Sequence, residues 1–168
     1  MRTIKFIPCI LLVGFAACNN ASEKKEVSAD TTASAATADS SHKMAEPVIA
    51  PLPDVPAGAK VFFKNLKNGQ TVTSPVKVEM GVEGIKLDTA GAVVAGSGHH
   101  HLLIDAGDSI AAGTVVPKDS THLHFGKAQS VAEVKLAPGE HNLTLQFADG
   151  IHRSYGSKLT STVKIKVK

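Results

Sequence analysis

Between Lys60 and Lys168, apolar and polar residues alternate with a period of two, in short runs broken by Gly, Pro, Asn and Asp. Successive side chains of a strand point to opposite faces, so this period predicts strands with one buried face and one wet face. The runs are Val61 to Leu66, Val76 to Glu83, His99 to Asp105, Ala132 to Leu136, Leu143 to Phe147 and Val163 to Lys168. No helical period interrupts them. Half-apolar strands spaced by turn residues predict an all-β domain over residues 60–168. The economical architecture is an immunoglobulin-like antiparallel β-sandwich of about seven strands, with a small closed barrel as the rival.

Upstream of Lys60 the pattern changes twice. Residues 1–17 pair a basic start (Arg2, Lys5) with an apolar run from Phe6 to Ala17. That run is too short to span a bilayer as a helix and has the form of a secretory signal peptide. Its ending, Phe15-Ala16-Ala17-Cys18, resembles a bacterial lipobox, which implies Cys18 as a lipidated mature N-terminus and a membrane contact through that lipid. Residues 18–59 are rich in Ala, Ser, Thr, Asp, Glu and Lys, then in Pro47, Pro51, Pro53 and Pro56. They show no hydrophobic period, and the expectation is a disordered tether stiffened by proline. His42 falls within it as a solvated residue.

Composition narrows the function classes. The formal charge is +3, and removing Arg2 and Lys5 with the leader leaves 16 basic against 15 acidic side chains. With no Trp, one Tyr and no basic stripe, the chain lacks what nucleic-acid readers use. Both cysteines, Cys9 and Cys18, lie in or beside the leader. The domain therefore has neither a disulfide framework nor a thiol for metal or catalysis. Histidine is the unusual component: seven of eight copies fall between His99 and His152.

Two His-x-His pairs, His99/His101 and His122/His124, would each place two imidazoles on one face of a strand, about 6.6 Å apart along the backbone. Leu123 and Phe125 should face inward, which puts His122 and His124 outward. Leu102 and Ile104 similarly put His99 and His101 outward and His100 inward, although Leu103 then joins the outward set. In an Ig-like topology the start of the third strand and the loop between the last two strands share one end, so His152 should approach His99. His141 should lie at the other end, as a core or corner residue bonded to backbone. Neutral imidazole suits Zn²⁺ and Cu²⁺. The expected metal ligands are thus His99, His101, His122, His124 and His152, with copper or zinc as the ion. Hydrogen bonding between strands is the competing role for the same side chains.

The sequence carries no His-Glu-x-x-His, Gly-x-Ser-x-Gly or phosphate loop, and the expectation is that the protein is not an enzyme. Gly98-His-His-His-Leu-Leu-Ile-Asp105, His122-Leu-His-Phe-Gly-Lys-Ala-Gln129 and Leu136-Ala-Pro-Gly-Glu-His141 through His152 resemble the bacterial envelope family known as domain of unknown function 4399. The resemblance runs from about Val61 to Val167. It implies an exported Ig-like β module, alone or on a lipoprotein tether, with no established activity. Copper/zinc superoxide dismutases share only the His-x-His dipeptide pattern. Two functions remain open: a non-catalytic envelope lipoprotein domain that binds a divalent transition metal, or an Ig-like structural or interaction module with an envelope protein partner. The leader generates a prediction of its own. Globomycin or Cys18→Ala should release the protein from membranes into the soluble fraction, whereas unchanged fractionation and an unshifted mass contradict lipidation.

Overall fold

A computed structural model describes residues 50–168, with nine β-strands and one 3₁₀ turn. The strands are β1 (Lys60–Phe63), β2 (Gln70–Val72), β3 (Val76–Glu83), β4 (Lys86–Leu87) and β5 (Ser97–Ile104), followed by β6 (His122–His124), β7 (Val131–Val134), β8 (Gly139–Ala148) and β9 (Thr160–Val167). The leader, Cys18, His42 and most of the expected tether lie outside the described residues. The six runs read from alternation correspond to β1, β3, β5, β7, β8 and β9. The strand count exceeds the expected seven because β2, β4 and β6 are two or three residues long, too short for a period to register.

The strands form two sheets. The smaller has the order β1-β3-β7 and the larger β2-β9-β8-β5-β4, with β6 also paired to β5. Most pairings are antiparallel, but β2 runs parallel to β9 and β4 parallel to β5. Alternation decides what each sheet buries. Val76, Val78 and Met80 of β3 meet Leu143, Leu145 and Phe147 of β8 and Val163, Ile165 and Val167 of β9 in one apolar cluster. The sandwich-like core expected from the half-apolar strands is therefore present.

The outer face of the larger sheet departs from expectation. Leu143 to Ala148 of β8 are buried on both faces, including Thr144 and Gln146. The long connection from Asp105 to Thr121 and the segment after β8 cover them. Thr144 donates to the Gly107 carbonyl (2.9 Å), and Gln146 Oε1 accepts from Ile110 N–H (2.9 Å). Gln146 Nε2 donates to the Gly156 carbonyl (3.2 Å), while Ser154 donates to the Ile110 carbonyl (2.8 Å). These bonds satisfy polar groups that burial would otherwise penalise.

The N-terminal boundary also shifts. Residues 50–59, placed in the tether by composition, carry no strand yet lie against the domain. Leu52, Val55 and Ala59 pack on the core, and the Arg153 guanidinium donates to the Ala50 and Pro51 carbonyls. Apolar Leu52 and Val55, spaced between prolines, give this stretch something to bury.

Gly98 sits where β5 and β8 approach closely. A Cβ there would meet the Ala148 carbonyl oxygen at 2.2 Å and a Phe147 ring carbon at 2.8 Å. Backbone and a buried ring cannot step aside, so Gly98→Ala should destabilise by about 1–3 kcal/mol or more. Urea melts showing a change within about 0.5 kcal/mol of zero would contradict this packing.

Candidate metal centre

The site is built on one register. Opposite residues of an antiparallel pair share a face, and β5 pairs His99 with Ala148, His100 with Phe147 and His101 with Gln146. On its other side, His101 pairs with His124 and Leu103 with His122. His99, His101, His122 and His124 therefore share the outer face, while His100 turns inward and meets Phe147 edge-on at 5.1 Å between ring centroids. These facings agree with the alternation.

His152 comes from the turn after β8. It has φ +71°, a left-handed conformation that is strained for a residue with a side chain. Asp149 holds the turn. Its Oδ1 accepts from the Ile151 and Arg153 N–H groups, its Oδ2 takes the Arg153 Nε (2.7 Å) and Nη2 (2.7 Å), and its carbonyl accepts from His152 N–H (2.9 Å). Asp149 is completely buried. So fixed, the His152 ring sits 5.0 Å from His99, 5.8 Å from His101 and 4.7 Å from His124.

Four imidazoles thus converge. The Nε2 atoms of His99 and His101 are 3.0 Å apart, and those of His124 and His152 are 3.1 Å apart. His99, His101 and His124 each offer one nitrogen, all within 4.8 Å of one another. Two nitrogens sharing a tetrahedral ion at about 2.0–2.1 Å would stand about 3.3 Å apart, so the two close pairs need only a few tenths of an ångström of adjustment. Gly126 packs on the His124 ring, where a Cβ would fall 2.3 Å from Nε2.

His99 and His101, expected outward, are 0% and 1% exposed. The reason is the cover formed by the long connection and the segment after β8, together with loops tied across the site: Gly91 N–H donates to the Gly150 carbonyl and Ala90 N–H to the Gly126 carbonyl. Truncating either ring would open a cavity, contrary to what a wet face implied. Leu103, also fully buried on that face, and apolar Ile110 and Val116 in the long connection were the sequence signals of a cover.

His122 does not join the four. It lies two pairs further along β6, and its Nδ1 bonds Asp119 Oδ1 (2.8 Å), the same oxygen that accepts from the backbone of Thr121 and His122. That bond holds Asp119 down at about 2. His141 is at the far end as expected. Its Nδ1 faces Asp105 Oδ2 (2.7 Å) and its Nε2 donates to the Ala137 carbonyl (2.9 Å).

Electrostatics separates the two groups. Burial, reinforced by neighbouring imidazoles, pushes His99 to about 4 and His101 to about 2, and pushes His124 down as well. Buried His100 falls to about 4. His99 and His101 are therefore neutral at pH 7, the state in which imidazole binds metal. His141 moves the opposite way, raised by Asp105 and the Ala137 carbonyl.

The model of the family described as domain of unknown function (DUF4399) matches residues 78–168, just over half of the chain. The chain belongs to this family. No curated protein and no solved structure matches it. The DUF4399 span begins inside β3 and contains all four converging histidines, Asp149 and Arg153, and both Asp105 and His141.

The Asp105–His141 pair yields a pH prediction. Burial alone would raise Asp105, but bonds from Asn142 N–H and His141 outweigh it and leave it lowered. A raised histidine stabilises fully below its unfolded pKa near 6.5 and loses this as pH rises through its folded value. A lowered carboxylate stabilises above about 3.8 and loses this as pH falls. The pair should therefore contribute most between about pH 4 and 6.5. Denaturant melts of wild type and His141→Ala should differ by up to about 1 kcal/mol more at pH 5.5 than at pH 9. A difference independent of pH would contradict the ionic component.

Proposed function

We propose that this domain binds a transition-metal ion of the copper–zinc group through His99, His101, His124 and His152, as a non-catalytic module of the cell envelope anchored by lipid at Cys18. The observation that carries the reading is the convergence of four imidazoles, two buried (His99, His101) and two half-buried (His124, His152), with paired Nε2 atoms at 3.0 and 3.1 Å. Without an ion, two N–H···N bonds of about 1 kcal/mol each are all that offsets burying the rings. The Nδ1 atoms of His99 and His101 have no partner among the described residues. An ion would replace the two Nε2–Nε2 contacts with coordinate bonds, and its binding free energy would stabilise the fold. Imidazoles from three elements meeting at one ion position support a binding role. The leader and the Cys18 motif support the envelope location.

A second reading, a protein-interaction module, is favoured by one feature. Val94, Val115 and Ile151 are 48%, 59% and 39% exposed on neighbouring loops around the histidines, with Val115 bridged to Arg153 and Gly91 bonded to Gly150. An envelope protein partner would meet this apolar rim.

Calorimetry and elemental analysis on untagged protein separate the readings. Wild type should bind about one ion per chain. His99→Ala/His101→Ala or His124→Ala/His152→Ala should weaken binding at least 100-fold, with far-UV circular dichroism retained. His122→Ala should change it less than tenfold. Wild type without detectable binding at neutral pH, or double variants that bind normally, would contradict the proposal.

A further inference from the structure

We propose that the four-histidine site selects copper in its monovalent state over divalent zinc and divalent copper. The inference rests on the metal-binding reading and sharpens it to an oxidation state.

Charge compensation at the site is the deciding quantity. All four donors are neutral imidazoles, so the net charge of the loaded site equals the charge of the ion. Asp149 is the buried carboxylate in the turn that carries His152, and it is fully engaged. It faces the Arg153 guanidinium at 2.7 Å through both Nε and Nη2, and two backbone N–H groups occupy its other oxygen. That ion pair is neutral as a unit and has no charge to lend. Asp119, the other carboxylate bonded to a histidine on this face, is committed to His122, outside the four.

The surroundings of the ligands point the same way. Histidines that hold divalent ions ordinarily donate their second ring N–H to a carboxylate or carbonyl, which raises ligand basicity and spreads the ion's charge outward. The Nδ1 atoms of His99 and His101 are buried and have no such acceptor among the described residues. The cost of placing an ion in a poorly solvated interior grows as the square of its charge, so a divalent ion incurs about four times the monovalent penalty. His99 and His101 are almost completely excluded from solvent, which makes this penalty large. Among divalent ions, imidazole sites favour copper over zinc. Copper is the member of that pair with a stable monovalent form, and a filled d shell imposes no coordination geometry on the four rings. Among the described residues the one methionine, Met80, belongs to β3 and the core and offers this face no thioether.

The test is a set of competition titrations on the untagged full chain at pH 7.5. Cu(I) is titrated anaerobically against bicinchoninate with ascorbate present, Zn(II) against a chromophoric chelator, and Cu(II) in air against glycine. The expected result is a dissociation constant for Cu(I) at least 100-fold below those for Zn(II) and Cu(II), with Cu(I) binding lost in His99→Ala/His101→Ala and retained in His122→Ala. Zinc or divalent copper binding as tightly as Cu(I) overturns the valence preference and leaves the metal-binding reading standing. Failure of the wild type to take any of the three ions from its competitor overturns both. Cu(I) binding that survives in His99→Ala/His101→Ala places the ion elsewhere and overturns the inference.

Discussion

The antiparallel register of β5 between β8 and β6 determines which side chains meet on the outer face of the larger sheet. With His101 opposite both Gln146 and His124, every second residue of β5 must face away from the sandwich core. A slip of one residue would exchange His99 and His101 with His100 and Leu102. It would put two imidazoles against Leu145 and Phe147 and turn an apolar side chain toward the other histidines. Gly98, pressed on the Ala148 carbonyl, fixes the close approach at one end of this pairing. Bonds from Gln146 and Thr144 to the long connection close the cover over it.

That cover changes the chemistry of the outer face. On an open sheet, four histidines would titrate near their ordinary values and be hydrated singly. Beneath the loops His99 and His101 lose solvent and stay neutral, and the four rings face one another. The arrangement carries backbone strain, because His152 adopts a left-handed conformation that the Asp149 turn and its buried ion pair with Arg153 must hold in place. Strain and orphaned ring nitrogens in one spot are features that tertiary structure keeps where a ligand is expected. They are the physical basis of the proposed metal binding.

Much of this was legible from residue order. Alternation located the six longer strands and assigned the correct face to His99, His100, His101, His122 and His124. The expectation that the third strand's start meets the loop before the last strand brought His152 to His99. Other features were not legible, for identifiable reasons. Strands of two or three residues have no measurable period. Burial of the outer face depends on a loop folding back, which is a tertiary event announced only by Leu103 and by scattered apolar residues such as Val116. The separation of His122 from His124 rests on a single competing acceptor, Asp119, and spacing alone treats the two histidines alike. The buried Asp149–Arg153 pair has no local signature, because the carbonyls that also hold Arg153, those of Ala50 and Pro51, lie about a hundred residues away.

The central claim is that one ion would be held by imidazole nitrogens from β5, β6 and the turn after β8. X-ray absorption spectroscopy of the metal-loaded protein tests it most directly, because the fine structure reports ligand type, number and distance in one measurement. The account predicts a first shell of three or four nitrogens at about 2.0–2.1 Å, with the outer-shell scattering characteristic of imidazole rings. A shell dominated by oxygen, or one fitted by a single imidazole, would contradict it.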